Sequence, residues 1–194
     1  MKKNSVRQLT ISALLIAMAV IIPMVMPKIV IGPASFTLAS HVPLFIAMFF
    51  SVPVTIAVSI GTTFGFLLNG LPFIITLRAL SHIVFALIGA YYLQKNPNIV
   101  LNPKKFQLFS FFIAVIHSAV ELVVVVAFLF GGQLQVEGNI FYFLFVLMGL
   151  GGVIHSMVDY NLAYFVAKAL GRGFDIPILS KAKELKLLDR KSVV

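Results

Sequence analysis

The stretch 106–130, FQLFSFFIAVIHSAVELVVVVAFLF, contains no Lys or Arg and a single acid, Glu121. A helix of about 20 mostly apolar residues crosses the hydrocarbon of a bilayer. A soluble domain of 194 residues has no place for several runs of this kind, and this chain carries them from end to end. With 60% of residues hydrophobic and only 11% charged, the chain reads as a polytopic membrane protein. The fold class expected is an all-α integral membrane protein, a bundle of six transmembrane helices. No Cys is present, which excludes disulfides, thiol nucleophiles and cysteine metal sites.

The spans are read at about 9–27, 40–51, 53–68, 72–94, 106–130 and 148–170. The basic start followed by an apolar run resembles a signal peptide, but the run is long enough to span and an uncleaved first helix is expected. SVP at 51–53 predicts a tight turn, because a residue before Pro avoids the helical region. NGLP at 69–72 predicts another turn. The apolar run 140–170 exceeds one span, and GLGG at 149–152 is expected to divide it.

Lys and Arg set the orientation. With the N-terminus in the cytoplasm, Lys2, Lys3, Arg7, Lys95, Lys104, Lys105, Lys168, Arg172, Lys181, Lys183, Lys186, Arg190 and Lys191 all fall inside. That is thirteen of fifteen basic residues; Lys28 falls outside and Arg78 lies within a span. Both termini are therefore expected in the cytoplasm. This asymmetry accounts for the net charge of +9 without a nucleic-acid partner. Residues 1–172 are expected to form a six-helix transmembrane domain and 173–194 a basic cytoplasmic tail, as a short amphipathic helix on the membrane surface.

Six ionisable side chains sit inside the apolar runs: Arg78, His82, His117, Glu121, His155 and Asp159. A charge at mid-bilayer costs about 2.5–3.5 kcal/mol on insertion scales, so such groups face the bundle interior and find partners or a function. They fall into three i,i+4 pairs, Arg78 with His82, His117 with Glu121 and His155 with Asp159, each on one helix face. Three consecutive helices thus carry one polar stripe each, and the stripes can meet in the outer half of the membrane. The bland alternative is structural: the pairs close on themselves within their helices, or tie helices together by interhelical bonds. Arg78 is the sharpest residue, since it keeps its charge and its fork suits a carboxylate, either that of a ligand or, as a structural pair, that of Glu121 or Asp159. His155 is expected to bond a ligand, Asp159 to hold the orientation of the His155 ring or to pair with another helix, and His117 to act mainly on stability. Phe73, Tyr142 and Phe143 are expected near the outer end, where they could stack on a flat ring.

Catalytic readings are weaker. No HExxH is present, and the pairs are His–acid rather than His–His, so no metal or cofactor is expected. Ser–His neighbours such as Ser40–His41 point to different faces of a helix and make no nucleophile–base pair. No phosphate-binding Gly loop is found, and the chain is not expected to be an enzyme.

Ala13 and Ala17 form a small-xxx-small pair on the first span. Together with the long first outer loop KIVIGPASFTLAS and GxxxHSxxDxxLA at 151–163, this pair resembles the S components of energy-coupling factor (ECF) vitamin transporters. The resemblance covers nearly the whole chain. It implies a vitamin-binding subunit of the bacterial plasma membrane, docked on a transmembrane coupling protein and two ATPases. It implies that Ala13 and Ala17 contact the coupling protein and that the first loop caps the substrate. ASFTLASHVPLFIAMF and RALSHIVFALIGA are most similar to the niacin-specific branch, with pantothenate the second choice of vitamin. The rival readings are a stand-alone proton-coupled carrier, in which the His–acid pairs relay protons, and a structural subunit of a larger membrane complex.

Overall fold

The structure is a computed structural model that describes residues 2–31 and 34–191, with side chains from 5 to 188. Gly32 and Pro33 of the expected cap, the end of the expected tail, and the side chains of Lys2, Lys3, Arg190 and Lys191 lie outside the described residues. Helices dominate. They are α1 (Lys2–Val25), α2 (Val42–Phe50), α3 (Val52–Leu68), α4 (Phe73–Lys95), α5 (Pro103–Phe130), α6 (Gly152–Leu170) and α7 (Pro177–Lys191). Among the described residues four helical rods are long and apolar enough to cross a membrane: α1, α4, α5 and the continuous rod Tyr142–Leu170.

The second and third expected spans are shorter. α3 has 17 residues, and α2 has nine, all of them buried. Nine residues rise only about 14 Å, half a bilayer core. α2 has no lipid-facing side, so it is a plug packed inside the bundle. Ser51 alone joins the two helices. Its backbone is extended, and its hydroxyl accepts from Val54 N at 3.3 Å. The turn at 69–72 forms as the sequence suggests, with Gly70 at φ 70°, a left-handed position that suits glycine.

The rod 142–170 is not broken at GLGG. Its first ten residues, Tyr142–Gly151, wind as a π-helix that runs directly into α6. The change of winding frees carbonyls, and Ser118 on α5 uses them, lying 3.0 Å from Met148 O and 2.9 Å from Gly149 O. Gly152 makes this approach possible, since a Cβ there would lie 3.0 Å from Ser118 Oγ. On the other side of the bundle α1 packs against α3. A Cβ on Gly61 or Gly65 would lie 2.4 Å from Ile16 Cδ1 or 2.3 Å from Val20 Cγ2. With that face of α1 occupied, Ala13 and Ala17 remain exposed.

Two features depart from a plain helical bundle. The loop between α1 and α2 is an antiparallel hairpin, β1 (Lys28–Ile31) with β2 (Ala34–Thr37), pairing Lys28 with Thr37 and Ile31 with Ala34. The bond from Leu38 N to Pro27 O, 3.0 Å long, closes its base. At the opposite end, the stretch set apart in the sequence as a basic tail continues into the same core. Ile176, Ile178, Leu179 and Ala182 are buried with α2 and the 3₁₀ turn Pro97–Leu101.

Candidate functional site

A cavity of about 410 Å³ opens beneath the hairpin, in the range of small-molecule pockets. Lys28, Val30, Ser35 and Thr37 of the hairpin roof it, and Ser59, Thr62 and Phe66 of α3 form one wall. Arg78, His82, Glu121 and His155 line it from α4, α5 and α6, joined by Ser40 and His41. The i,i+4 spacing brings each pair to the bundle interior, and packing of α4 on α5 and of α5 on α6 brings the three stripes together.

The stripes tie across helices more tightly than within them. Glu121 is the hub of one group. Its Oε2 accepts from Arg78 Nη2 at 3.0 Å and its Oε1 from His82 Nε2 at 2.8 Å. Within its own helix, His117 Nε2 is 3.7 Å from Glu121 Oε1. His117 instead shares a bond of 2.9 Å through Nδ1 with Ser156 Oγ of α6. His117 lies behind the cavity wall, packed on Phe85 at 4.2 Å between ring centroids.

Asp159 is the hub of the other group, fully buried and also behind the wall. Its carboxylate accepts from Ala39 N at 2.8 Å, His41 N at 2.9 Å and His41 Nδ1 at 3.1 Å. Ser40 Oγ donates to it at 3.4 Å and lies 3.3 Å from His155 Nε2. The carboxylate caps the turn 38–41 that carries the chain from the hairpin into α2. Ala39 sits there at φ 64°, a position that costs an alanine roughly 1–2 kcal/mol. The two amides bonded to Asp159 offset that strain. Asp159 therefore positions His41, and its distance to His155 is 3.7 Å.

His41 was not among the candidates. Ser40 and His41 lie in a turn ahead of α2, so the helix-face argument does not apply to them, and Ser40 Oγ is 3.1 Å from His41 Nδ1. The available signal was a lone His directly before the pure apolar run 42–50. The aromatics suggested by position do not line the cavity. Phe73 and Tyr142 are exposed, and Phe143 is buried in a separate cluster with Ala34 and Met148. Phe66 lines it instead, with the imidazoles of His41, His82 and His155. Two polar atoms of lining residues, Arg78 Nε and Thr62 Oγ1, are buried without a hydrogen-bond partner among the described residues.

No family model matches the chain and no solved structure matches it. Among curated proteins it is similar to the niacin transporter NiaX of Lactococcus lactis subsp. cremoris (strain MG1363). The two are 45% identical over 185 residues, covering 95% of this chain and 83% of the relative. Identity at that level over nearly the full length shows common family membership. The chain belongs to the NiaX family, the niacin-transporter branch of the ECF S components that its sequence resembles.

Proposed function

We propose that this membrane vitamin-uptake protein binds niacin as its carboxylate anion in the cavity under the hairpin. Arg78 carries the reading. One arm of its guanidinium is committed to Glu121, and Nε is buried without a partner in the cavity wall. A buried, half-satisfied guanidinium is a receptor for a second carboxylate. Lys28, on the roof, supplies a further positive charge. Phe66 and the lining imidazoles offer faces for a flat pyridine ring, and Thr62 Oγ1 offers a hydrogen bond.

The hairpin end faces outward in this reading and both termini face the cytoplasm, which puts the basic residues inside. The chain would sit in the bacterial plasma membrane with six passes or part-passes, α2 being a half-length one. Delivery needs the ECF coupling protein and its two ATPases. Exposed Ala13 and Ala17 on α1 offer the close-approach surface for that partner.

Calorimetry on the purified chain tests this against nicotinate, nicotinamide and pantothenate. Nicotinate is expected to bind 1:1 and the neutral amide more weakly. No heat with nicotinate overturns the reading. Leu at positions 13 and 17 is expected to leave nicotinate affinity unchanged and abolish uptake in the presence of the ATPase module. Uptake by the chain alone, driven by a proton gradient in proteoliposomes, would support the secondary-carrier rival.

A further inference from the structure

We propose that His41, His82, His117 and Glu121 form a binding site for a divalent transition-metal ion of the zinc class, at the floor of the cavity. One donor atom from each of the four lies within 4.8 Å of the others. The four come from three separate parts of the chain, so sequence spacing announces only the His117–Glu121 pair. The rings of His41, His82 and His117 surround one point, with centroids 4.9, 4.6 and 4.7 Å apart. Tetrahedral zinc, with bonds of about 2.0–2.1 Å, holds its donors about 3.3 Å from one another. Glu121 Oε1 is 2.8 Å from His82 Nε2 and 3.7 Å from His117 Nε2, two distances that bracket that spacing.

The outer partners fit the same assignment. Metal-bound imidazoles almost always give their other N–H to a carboxylate, a carbonyl or a similar acceptor, which fixes the ring. His41 Nδ1 donates to Asp159, and His117 Nδ1 is paired with Ser156 Oγ, which leaves Nε2 of each ring for the ion. His117 Nε2 is itself buried with no hydrogen-bond partner among the described residues. A second grouping, His41 with His155 and Asp159, is also close enough. Its carboxylate is already engaged by two backbone amides, an imidazole and a hydroxyl, so it acts as support. Three imidazole nitrogens and one carboxylate suit zinc and its late first-row neighbours and do not suit magnesium or calcium. Glu121 and His82 line the cavity, so an ion held by them is within reach of an anion bound there.

The site does not depend on the vitamin reading, and the test separates the two. Untagged protein, purified in detergent and stripped with chelator, is titrated with Zn²⁺ against a chromophoric competitor and with Co²⁺ read by its visible absorption. One equivalent of Zn²⁺ and a tetrahedral Co²⁺ spectrum are expected. His82→Gln and His117→Gln are each expected to weaken Zn²⁺ by at least about tenfold, the lower end of what perturbing a metal shell costs. Magnesium is expected to bind neither protein. Wild-type protein that takes up no stoichiometric Zn²⁺ overturns the proposal without any variant. So does loss of metal in His155→Gln with retention in His82→Gln and His117→Gln. Nicotinate titrated into the metal-free and the Zn²⁺-loaded protein is the second arm. Metal uptake with no nicotinate binding in either form refutes the vitamin reading and keeps the site; nicotinate binding with no metal uptake does the reverse.

Discussion

The two halves of this bundle are built on opposite principles, and they meet at two consecutive residues. On the hairpin side, Asp159 is saturated with hydrogen bonds and holds a strained turn in place. One residue on, Tyr160 is equally buried, yet its hydroxyl has no partner among the described residues. From there to the terminal end the interior is aromatic. Phe45 stacks on Tyr160 at 4.2 Å and Phe106 on Tyr164 at 4.0 Å, with Phe49 and Phe109 packed beside them. The hairpin half keeps a cavity and a polar network, and the terminal half fills itself. A polar network that stops halfway is suited to binding from one side. A proton relay across the membrane would have to continue through the aromatic layer, and the polar stripes do not.

Breaking the polar half is expected to have the largest effect. Arg78→Ala removes the cation beside Glu121 and leaves that acid buried with only imidazole partners. Truncating one partner of a buried, hydrogen-bonded charge pair typically costs about 2–5 kcal/mol in binding, which predicts a loss of nicotinate affinity of about thirtyfold to several thousandfold by calorimetry, while the stranded Glu121 lowers the melting temperature. Arg78→Lys should recover part of it, since the charge returns without the fork. Normal affinity in Arg78→Ala would move the ligand away from this wall. Asp159→Ala is expected next. It strands the amides of Ala39 and His41, at about 1–3 kcal/mol per buried group left unmade. The melting temperature should fall, and affinity with it, because the turn that carries His41 is released. A variant that melts lower but binds normally would show that His41 is not part of the site.

The contrast between the halves also explains what was legible in the sequence. Arg78, His82, Glu121 and His155 stood out because an ionisable residue in an apolar run is expensive, and the i,i+4 spacing put each pair on one face. All four line the cavity. Of their partners only the pairing of Arg78 with Glu121 was in view, from the fixed charge of Arg78, because i,i+4 reasoning sees one helix at a time. It offered Glu121 to His117, whereas the folded chain gives Glu121 to Arg78 and His82 across the α4–α5 contact. His41 was invisible for another reason. Its neighbours 42–50 look like the start of a span, and only burial on every side shows that α2 is an internal plug. The hairpin escaped because KIVIG and ASFT alternate too briefly to signal strands. α7 was read by its charge, while its attachment rests on Ile176, Ile178 and Leu179 just ahead of the charged stretch.

The aromatic half should tolerate what the polar half does not. Tyr160→Phe removes a hydroxyl that makes no bond and keeps the ring stack with Phe45. A buried hydroxyl without a partner costs about 1–3 kcal/mol, so the variant is expected to melt at the same or a higher temperature and to bind nicotinate normally. A clear fall in melting temperature would reveal that the hydroxyl is satisfied, and that the polar network reaches further down than the terminal half now suggests.

The smallest effect is expected at the terminal surface, where α1 meets the segment before α7. Arg7 Nη1 pairs with Asp175 at 2.9 Å, its Nη2 also bonds Asp175 O, and its guanidinium lies 5.0 Å from the centre of the Phe174 ring. The Asp175 carboxyl is held below its ordinary value of 3.8, first by the hydroxyl of Ser180 and then by Arg7. A carboxyl depressed in the folded state adds stability that is fully present above its unfolded value and is lost as pH falls through the folded one. Both side chains are more than a third exposed, at 37% and 56%. Solvent screening therefore limits the pair to about 0–1 kcal/mol. Asp175→Asn should lower the melting temperature slightly at pH 7, and the gap from wild type should close as pH falls below about 4. Added salt should narrow it at pH 7 as well. A gap that persists in acid would assign the contribution to the packing of Phe174 against Phe50 and not to charge.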